Sequence, residues 1–355
     1  MFAAKYFFRW RTCLNVCHSG GMPVYLESNR RPGHPASPGP NPRAENQGSI
    51  AIGLVNNMPD GALEATERHF LSLLDRASGG IPVHLSLYAL PDIPRTEAGG
   101  RHIEDFYSST EALWDRQLDA LIVTGREPLT PNLNDEPYWD SFTRVLDWAQ
   151  ENTHSTVWSC LAAHAAVLHM DGIGRIRSSV KHSGVFECTR LLDHPLMTGT
   201  PSTVRVPHSR WNGLPEEELT ARGYSVLTRA ADTGVDTFVK VQKSLFVFFQ
   251  GHPEYESNTL MLEYRRDVGR YLRGEASTYP SLPRAYFDQT TVNALLTIEA
   301  RAISQPNEES LTELSTLLGA REVENTWRTT AASIYRNWLE YVCARKGCRS
   351  LLVVP

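Results

Sequence analysis

Cysteine is scarce in this chain: six among 355 residues, too few for a disulfide scaffold in a protein of this size. Cys13 and Cys17 lie close together, but no second pair at ligand spacing completes a zinc site, and no histidine pair stands beside a carboxylate at metal-ligand spacing, so no metal is expected. Sparse, reduced thiols point to the cytoplasm. A basic surplus is missing as well. Lysine and arginine number 35 against 40 acidic residues, a net charge of −5, which excludes a nucleic-acid binder held by phosphate contacts. Apolar runs such as Leu245 to Phe249 are far too short to span a bilayer, so no membrane partner is expected. Met1 to Arg11 lacks the apolar core and cleavage site of a signal peptide. Neither a GxxxxGK[ST] loop nor a GxGxxG after a strand is present, so no nucleotide cradle and no cofactor are expected. Repeats and heptads are absent.

What is there suffices for a large core, with 41% hydrophobic residues. Five prolines between Pro32 and Pro42 mark residues 1–48 as a flexible leader that folding and catalysis do not need, and Met22 is a candidate true start. A single domain then runs over 49–345, with a diverged or inserted stretch at 285–325 and a tail at 346–355. Short apolar runs at Ile50 to Val55, Val83 to Leu87, Leu121 to Thr124, Thr156 to Trp158 and Leu245 to Phe249 read as buried parallel strands. Helical spacing joins Leu63, Phe70, Leu71 and Leu74, and again Tyr138, Phe142, Val145, Leu146 and Ala149. Two more helices are expected at Leu311 to Leu318 and from about Thr330, with Ile334, Trp338, Tyr341 and Val342 as a packing stripe. Trp139, Trp148 and Trp158 read as core, and His164 and His169 as packing residues. The alternation predicts an α/β fold: a mainly parallel sheet with helices on both faces, its ligands beyond the carboxyl ends of the strands.

Two places there could carry chemistry. Thr156-Val-Trp-Ser-Cys160 leads from a strand into an alanine-rich helix, setting a thiol at a helix N-terminus that favours its thiolate. Such corners present nucleophiles in many α/β enzymes; a buried structural cysteine is the competing reading. The second place is Gly251-His-Pro-Glu-Tyr255, after the last strand. In an extended segment His252 and Glu254 would point the same way, giving Cys160 a base and the base an orienting carboxylate.

A longer set of stretches agrees with this. In chain order it comprises Asn57-Met-Pro59, Thr66-Glu67, Leu121-Ile-Val-Thr-Gly125, Tyr138-Trp139, Cys160, Lys181-His-Ser-Gly-Val185, Pro207-His-Ser-Arg210, Gly251-His-Pro-Glu-Tyr255, Glu263-Tyr-Arg-Arg-Asp267 and Asn337-Trp-Leu339. With these the chain resembles the homoserine O-acyltransferase family of methionine biosynthesis, usually called homoserine O-succinyltransferases, which share the class I glutamine amidotransferase-like fold. The resemblance implies that Cys160 carries the acyl group as a thioester, that His252 is the base and Glu254 its partner, and that Lys181, Ser209 and Arg266 hold the substrate. Acyl-CoA and L-homoserine are the implied substrates, with a homodimer as the assembly. The chain departs from the family where Asp60-Gly61 replaces a lysine after Met58-Pro59, and where Arg126-Glu-Pro-Leu-Thr replaces Ala-Pro in the loop tied to donor choice. Leu129 aligns with the donor-choosing position. Arg126 can pair bidentately with a succinyl carboxylate, which favours succinyl-CoA, whereas Glu127 would repel it and favour acetyl-CoA. Amides near Cys160 and the Gly125 loop are candidates for an oxyanion hole. Serine as acceptor, a glutamine amidotransferase-like hydrolase and a silent binding protein are the alternatives.

Overall fold

The structure, a computed structural model, describes residues 24–27 and 48–348. Along the chain the strands are β1 (Val24–Glu27), β2 (Ile50–Val55), β3 (Val83–Tyr88), β4 (Ala120–Thr124), β5 (Ser155–Ser159), β6 (Ile176–Arg190), β7 (Thr203–Gly213), β8 (Ser225–Val226), β9 (Thr228–Ala230), β10 (Gly234–Val235), β11 (Thr237–Val241) and β12 (Leu245–Phe249). The helices are α1 (Asp60–Ala77), α2 (Glu97–Phe106), α3 (Thr110–Trp114), α4 (Trp139–Asn152), α5 (Leu161–Asp171), α6 (Glu216–Ala221), α7 (Thr259–Leu272), α8 (Gln289–Ser304), α9 (Glu308–Gly319) and α10 (Arg328–Lys346).

The main sheet has the order β1-β3-β2-β4-β5-β12-β11-β8 and is parallel from β1 to β12. Its strands are continuous apolar runs because both faces are covered. Alternate residues divide between two cores. Ile52, Ile122, Val157 and Val247 face α1 and α10, through Phe70, Leu74, Trp338 and Val342. Val123, Trp158, Phe246 and Phe248 face α4 and α5 on the other side. Trp158 is fully buried, edge-on to Phe142 at 5.4 Å and stacked on Phe246 at 6.1 Å. Emptying a site of that size costs ~3–5 kcal/mol, so the strand that carries Cys160 is held firmly.

The expected strands and helices are present, and the α/β class with a mainly parallel sheet holds. Leu71 and Tyr341 are only partly buried, at the margins of their helices' packed faces. Trp158 is core, while Trp139 and Trp148 are partly buried against it. A second sheet was not foreseen: β10-β9-β6-β7, wholly antiparallel, with β6 and β7 as a long arm. Polar and charged residues interrupt β6, so no apolar run marks it. The 285–325 stretch supplies α8 and α9, which pack on α7 around Val268, Leu295, Ile298 and Leu314.

The leader needs correcting in one place. Val24–Glu27 forms the edge strand, parallel to β3 in the register Val24↔Val83 to Glu27↔Ser86. Glu27 fixes it, accepting hydrogen bonds from Ser86 Oγ at 2.9 Å and Arg116 at 2.8 Å. Four apolar-alternating residues were enough to pair, ahead of the prolines that governed the expectation. The rest of 1–47 and the tail beyond Cys348, with Cys13, Cys17 and Met22, lie outside the described residues. A chain beginning at Ser49 should melt a few degrees below the full-length protein, at ~2–4 °C per kcal/mol of edge pairing lost, and keep its kcat. Coincident melting curves would show that the strand contributes nothing.

Candidate active site

Cys160 is the N-cap residue of α5, between β5 and the helix, with φ 53° and ψ −114°. A non-glycine residue held there is strained, and only firm surroundings keep it so. Its amide donates to the Phe249 carbonyl at 2.7 Å, while its own carbonyl accepts from Ala163 and His164. Those bonds leave the thiol standing at the carboxyl end of the sheet, half-exposed. Opposite lies Gly125: a Cβ there would sit 2.6 Å from Leu161 Cβ, 2.7 Å from Leu161 N and 2.8 Å from Ala162 N. The first amides of a helix have no intrahelical acceptor, so Leu161 and Ala162 face this gap as donors. Gly125's own amide does not join them, because it donates to the Ser159 carbonyl at 3.1 Å.

His252 and Glu254 follow β12, the strand beside β5. They sit in a turn closed by Tyr255 N donating to His252 O at 3.1 Å, and not in the extended segment expected. The turn still brings them together: His252 Nδ1–H donates to Glu254 Oε1 at 2.8 Å, and Ser159 Oγ donates to the same oxygen at 3.1 Å. Tyr255 stacks on the imidazole at 4.1 Å and donates its hydroxyl to Glu263 at 2.6 Å. Burial disfavours the imidazolium. The Cys160 thiolate and the Glu254 carboxylate, with hydrogen bonds to both, outweigh that and hold the His252 pKa well above its ordinary value.

The His252 peptide is fixed from below by a buried cluster that the sequence did not reveal. His252 N donates to Pro207 O at 2.8 Å, and Gly251 N to Asp236 Oδ1 at 3.1 Å. A Cβ at Gly251 would meet Val206 at 2.5 Å and Asp236 at 2.8 Å, so glycine alone fits. Asp236 also accepts from Thr228 at 2.9 Å and Thr237 at 2.8 Å, and lies 3.3 Å from His208 Nε2. Cys188, His208 and Asp236 are near enough to suggest a metal trio. The chemistry is against it: Arg210 Nε donates to His208 Nδ1 at 3.1 Å, so Nε2 carries the proton and has no lone pair for a metal. His164 has a similar bracing part, donating to the Gln250 side chain at 2.8 Å. His169 instead bonds Asp147 at the surface, at 2.9 Å.

The other sequence-predicted residues fall into two groups. Lys181 and Arg266 converge on Asp267, Lys181 Nζ at 2.7 Å and Arg266 Nε at 2.9 Å. Asp267 was quoted in a motif but given no role. Ser209 lies on β7, in register with Ser183, two residues beyond Lys181. In the loop after β4, Arg126 lies over the Tyr138 ring at 5.9 Å. Glu127 is held by Arg270 of α7 in a bidentate pair of 3.1 and 2.9 Å, so its charge is already answered. Leu129 turns its side chain to solvent and donates its amide to Glu136 at 2.7 Å. One further cation, Arg175, was missed. It stands between α5 and β6, and burial lowers its pKa although Glu136, Tyr138 and Cys160 pull the other way.

A cysteine in a strained strand-to-helix corner, with a histidine–carboxylate pair at the next strand's end, is the geometry of α/β enzymes that form covalent intermediates on sulfur. The comparisons narrow the class. The homoserine O-succinyltransferase family model matches residues 40–348. The homoserine O-succinyltransferase of Rhodopseudomonas palustris is 48% identical over 290 residues, 82% of this chain and 87% of that protein. Those of Methylorubrum extorquens and Bradyrhizobium japonicum are 45% and 41% identical, over 84% and 90% of this chain and 89% and 99% of theirs. The solved structure of a glutamine amido transferase from Methylobacillus flagellatus aligns with a TM-score of 0.47 at 15% identity, over 83% of this chain and 96% of that one. The chain belongs to the homoserine O-succinyltransferase family, and it is an acyltransferase.

Replacing Cys160 by alanine removes the influence that does most to raise the His252 pKa, while burial still opposes the imidazolium. The imidazole should then titrate at lower pH in Cys160→Ala than in the wild type, followed by NMR of its ring protons. An unmoved titration would mean that no charge pair exists.

Proposed function

We propose that the protein transfers the succinyl group of succinyl-CoA to the hydroxyl of L-homoserine through a thioester on Cys160. The observation that carries this reading is the Cys160–His252–Glu254 set at the carboxyl end of the parallel sheet. The thiolate attacks the thioester carbonyl carbon, the bond to the CoA sulfur breaks, and the departing thiolate takes the His252 proton. Acylation also abolishes the negative charge that had raised the His252 pKa, so the neutral imidazole is left free to act as a base. It takes the homoserine hydroxyl proton as that oxygen attacks. The carbon–sulfur bond to Cys160 then breaks, and the ion pair returns. Glu254 holds the ring throughout. The Leu161 and Ala162 amides, the first of α5 and packed closely on Gly125, stabilise the oxyanion.

Lys181 and Arg266 receive the substrate carboxylate, and Ser209 lies on the neighbouring strand to hold the amino acid. Asp267 holds both cations and Glu127 holds Arg270, so an incoming α-carboxylate shares Lys181 and Arg266 with Asp267. Arg126 supports succinyl as the donor, and the pairing of Glu127 with Arg270 removes the repulsion that would favour acetyl. Acyl-CoA is a co-substrate, and no cofactor is required. No helix among the described residues is long and apolar enough to cross a membrane, and the free cysteines Cys160, Cys188, Cys343 and Cys348 support a cytoplasmic setting. Ile176, Val180 and Trp211, exposed on β6 and β7, support a homodimer that covers them.

Intact-protein mass spectrometry tests the route. Wild-type protein given succinyl-CoA alone should gain one succinyl group, and Cys160→Ala should gain none. An adduct on the alanine variant would overturn the assignment. Gly125→Ala should lower kcat by about 10²- to 10³-fold, the cost of losing an oxyanion donor. A kcat within threefold of wild type would place the oxyanion elsewhere.

A further inference from the structure

We propose that Arg175 and Arg126 together form the subsite for the terminal carboxylate of the acyl donor, an inference that rests on the acyltransferase reading above. Arg175 comes from the turn between α5 and β6, and Arg126 from the loop after β4. Arg175 Nη2 donates to the Pro131 carbonyl at 3.1 Å, which pins its guanidinium to the loop that begins with Arg126. Arg126 Nε reaches the Glu127 carbonyl at 3.4 Å. The Nη1 atom of each arginine is shut off from solvent and has no hydrogen-bond partner among the described residues. Two desolvated cationic donors left unpaired are costly to keep, and a ligand that accepts from both repays that cost.

The surroundings define the ligand. Glu136, Tyr138, Arg177 and Cys160 face Arg175. Arg177 is occupied over the Trp211 ring at 4.6 Å. Glu136 is the one acid there, and its Oε1 is taken by the Leu129 and Thr130 amides at 2.7 and 2.8 Å. The guanidinium groups outnumber the Glu136 carboxylate, so the ligand they call for is an anion. Arg175 also lies within electrostatic reach of Cys160. A succinyl thioester on Cys160 ends in a carboxylate two methylenes from its carbonyl. The CoA phosphates are a whole pantetheine arm away, and the homoserine carboxylate has its own cations at Lys181 and Arg266. Acetyl would leave both Nη1 atoms unpaired, and a site built to bond a group discriminates against an analogue lacking it.

The test compares kcat/KM for succinyl-CoA and acetyl-CoA, with homoserine as acceptor, in wild type, Arg175→Gln, Arg175→Lys and Arg126→Gln. The succinyl-to-acetyl ratio should fall about ten- to a hundredfold in each glutamine variant, the value of a charge-assisted bond, and less in Arg175→Lys. The homoserine KM should stay within twofold. Should Arg175→Gln fail to fold, the lysine variant still reads the ratio. Equal losses with both donors would assign the arginines to the CoA phosphates, and a raised homoserine KM at constant ratio would assign them to the acceptor; either overturns the proposal. Wild-type preference for acetyl-CoA would sink the succinyl reading itself, whatever the variants do.

Discussion

A single backbone hydrogen bond, Cys160 N–H to the Phe249 carbonyl at 2.7 Å, couples the two halves of the candidate catalytic centre. It is the last rung of the parallel pairing of β5 with β12, in which Ser159 stands opposite Phe249. Past that rung both strands leave the sheet, one into the strained corner at Cys160 and the other into the turn at His252. Parallel strands side by side emit their next residues at the same edge, so thiol and imidazole meet without any loop having to find the other. A slip of one residue would reverse the facing of every side chain on β12 and move Phe246 and Phe248 out of their core. Register is therefore paid for by burial, and catalytic geometry comes with it.

Much of this was legible because buried parallel strands write themselves as short apolar runs. Ile50–Val55, Ala120–Thr124 and Leu245–Phe249 stand out, and the residues just after them are the only places where ligands can meet strand ends. Cys160 and His252 could thus be singled out from position and chemistry. The partnership with Glu254 was anticipated for the wrong local reason: a turn, not an extended segment, brings the carboxylate round. A two-residue spacing is compatible with both, and proline between them stiffens either.

What was not legible has two physical sources. The arm of β6 and β7 is half-exposed and mixed in polarity, so neither strand period nor apolar run betrays it, yet it carries Lys181, Ser209, His208 and Arg210. The second source is pairing across long sequence separations. Asp236 reads as an ordinary loop acid until Gly251, Thr228 and Thr237 are seen to converge on it. Arg175 and Arg126 are 49 positions apart, and only folding brings both beside Tyr138.

Charge explains why these pieces form one device. The structure groups cations in two places: Arg266, Arg270 and Lys181 along α7 and β6, and Arg175 with Arg126 beside Tyr138. Glu127 joins them, since its pairing with Arg270 ties the donor loop to α7. Substrates with one carboxylate each can neutralise both sides, one through the acyl chain and one through the acceptor. On the proposed route the sulfur already carries the acyl group when homoserine arrives, so separate cationic seats keep the two carboxylates apart at one residue, and the order of acylation and transfer follows from which molecule carries the thioester.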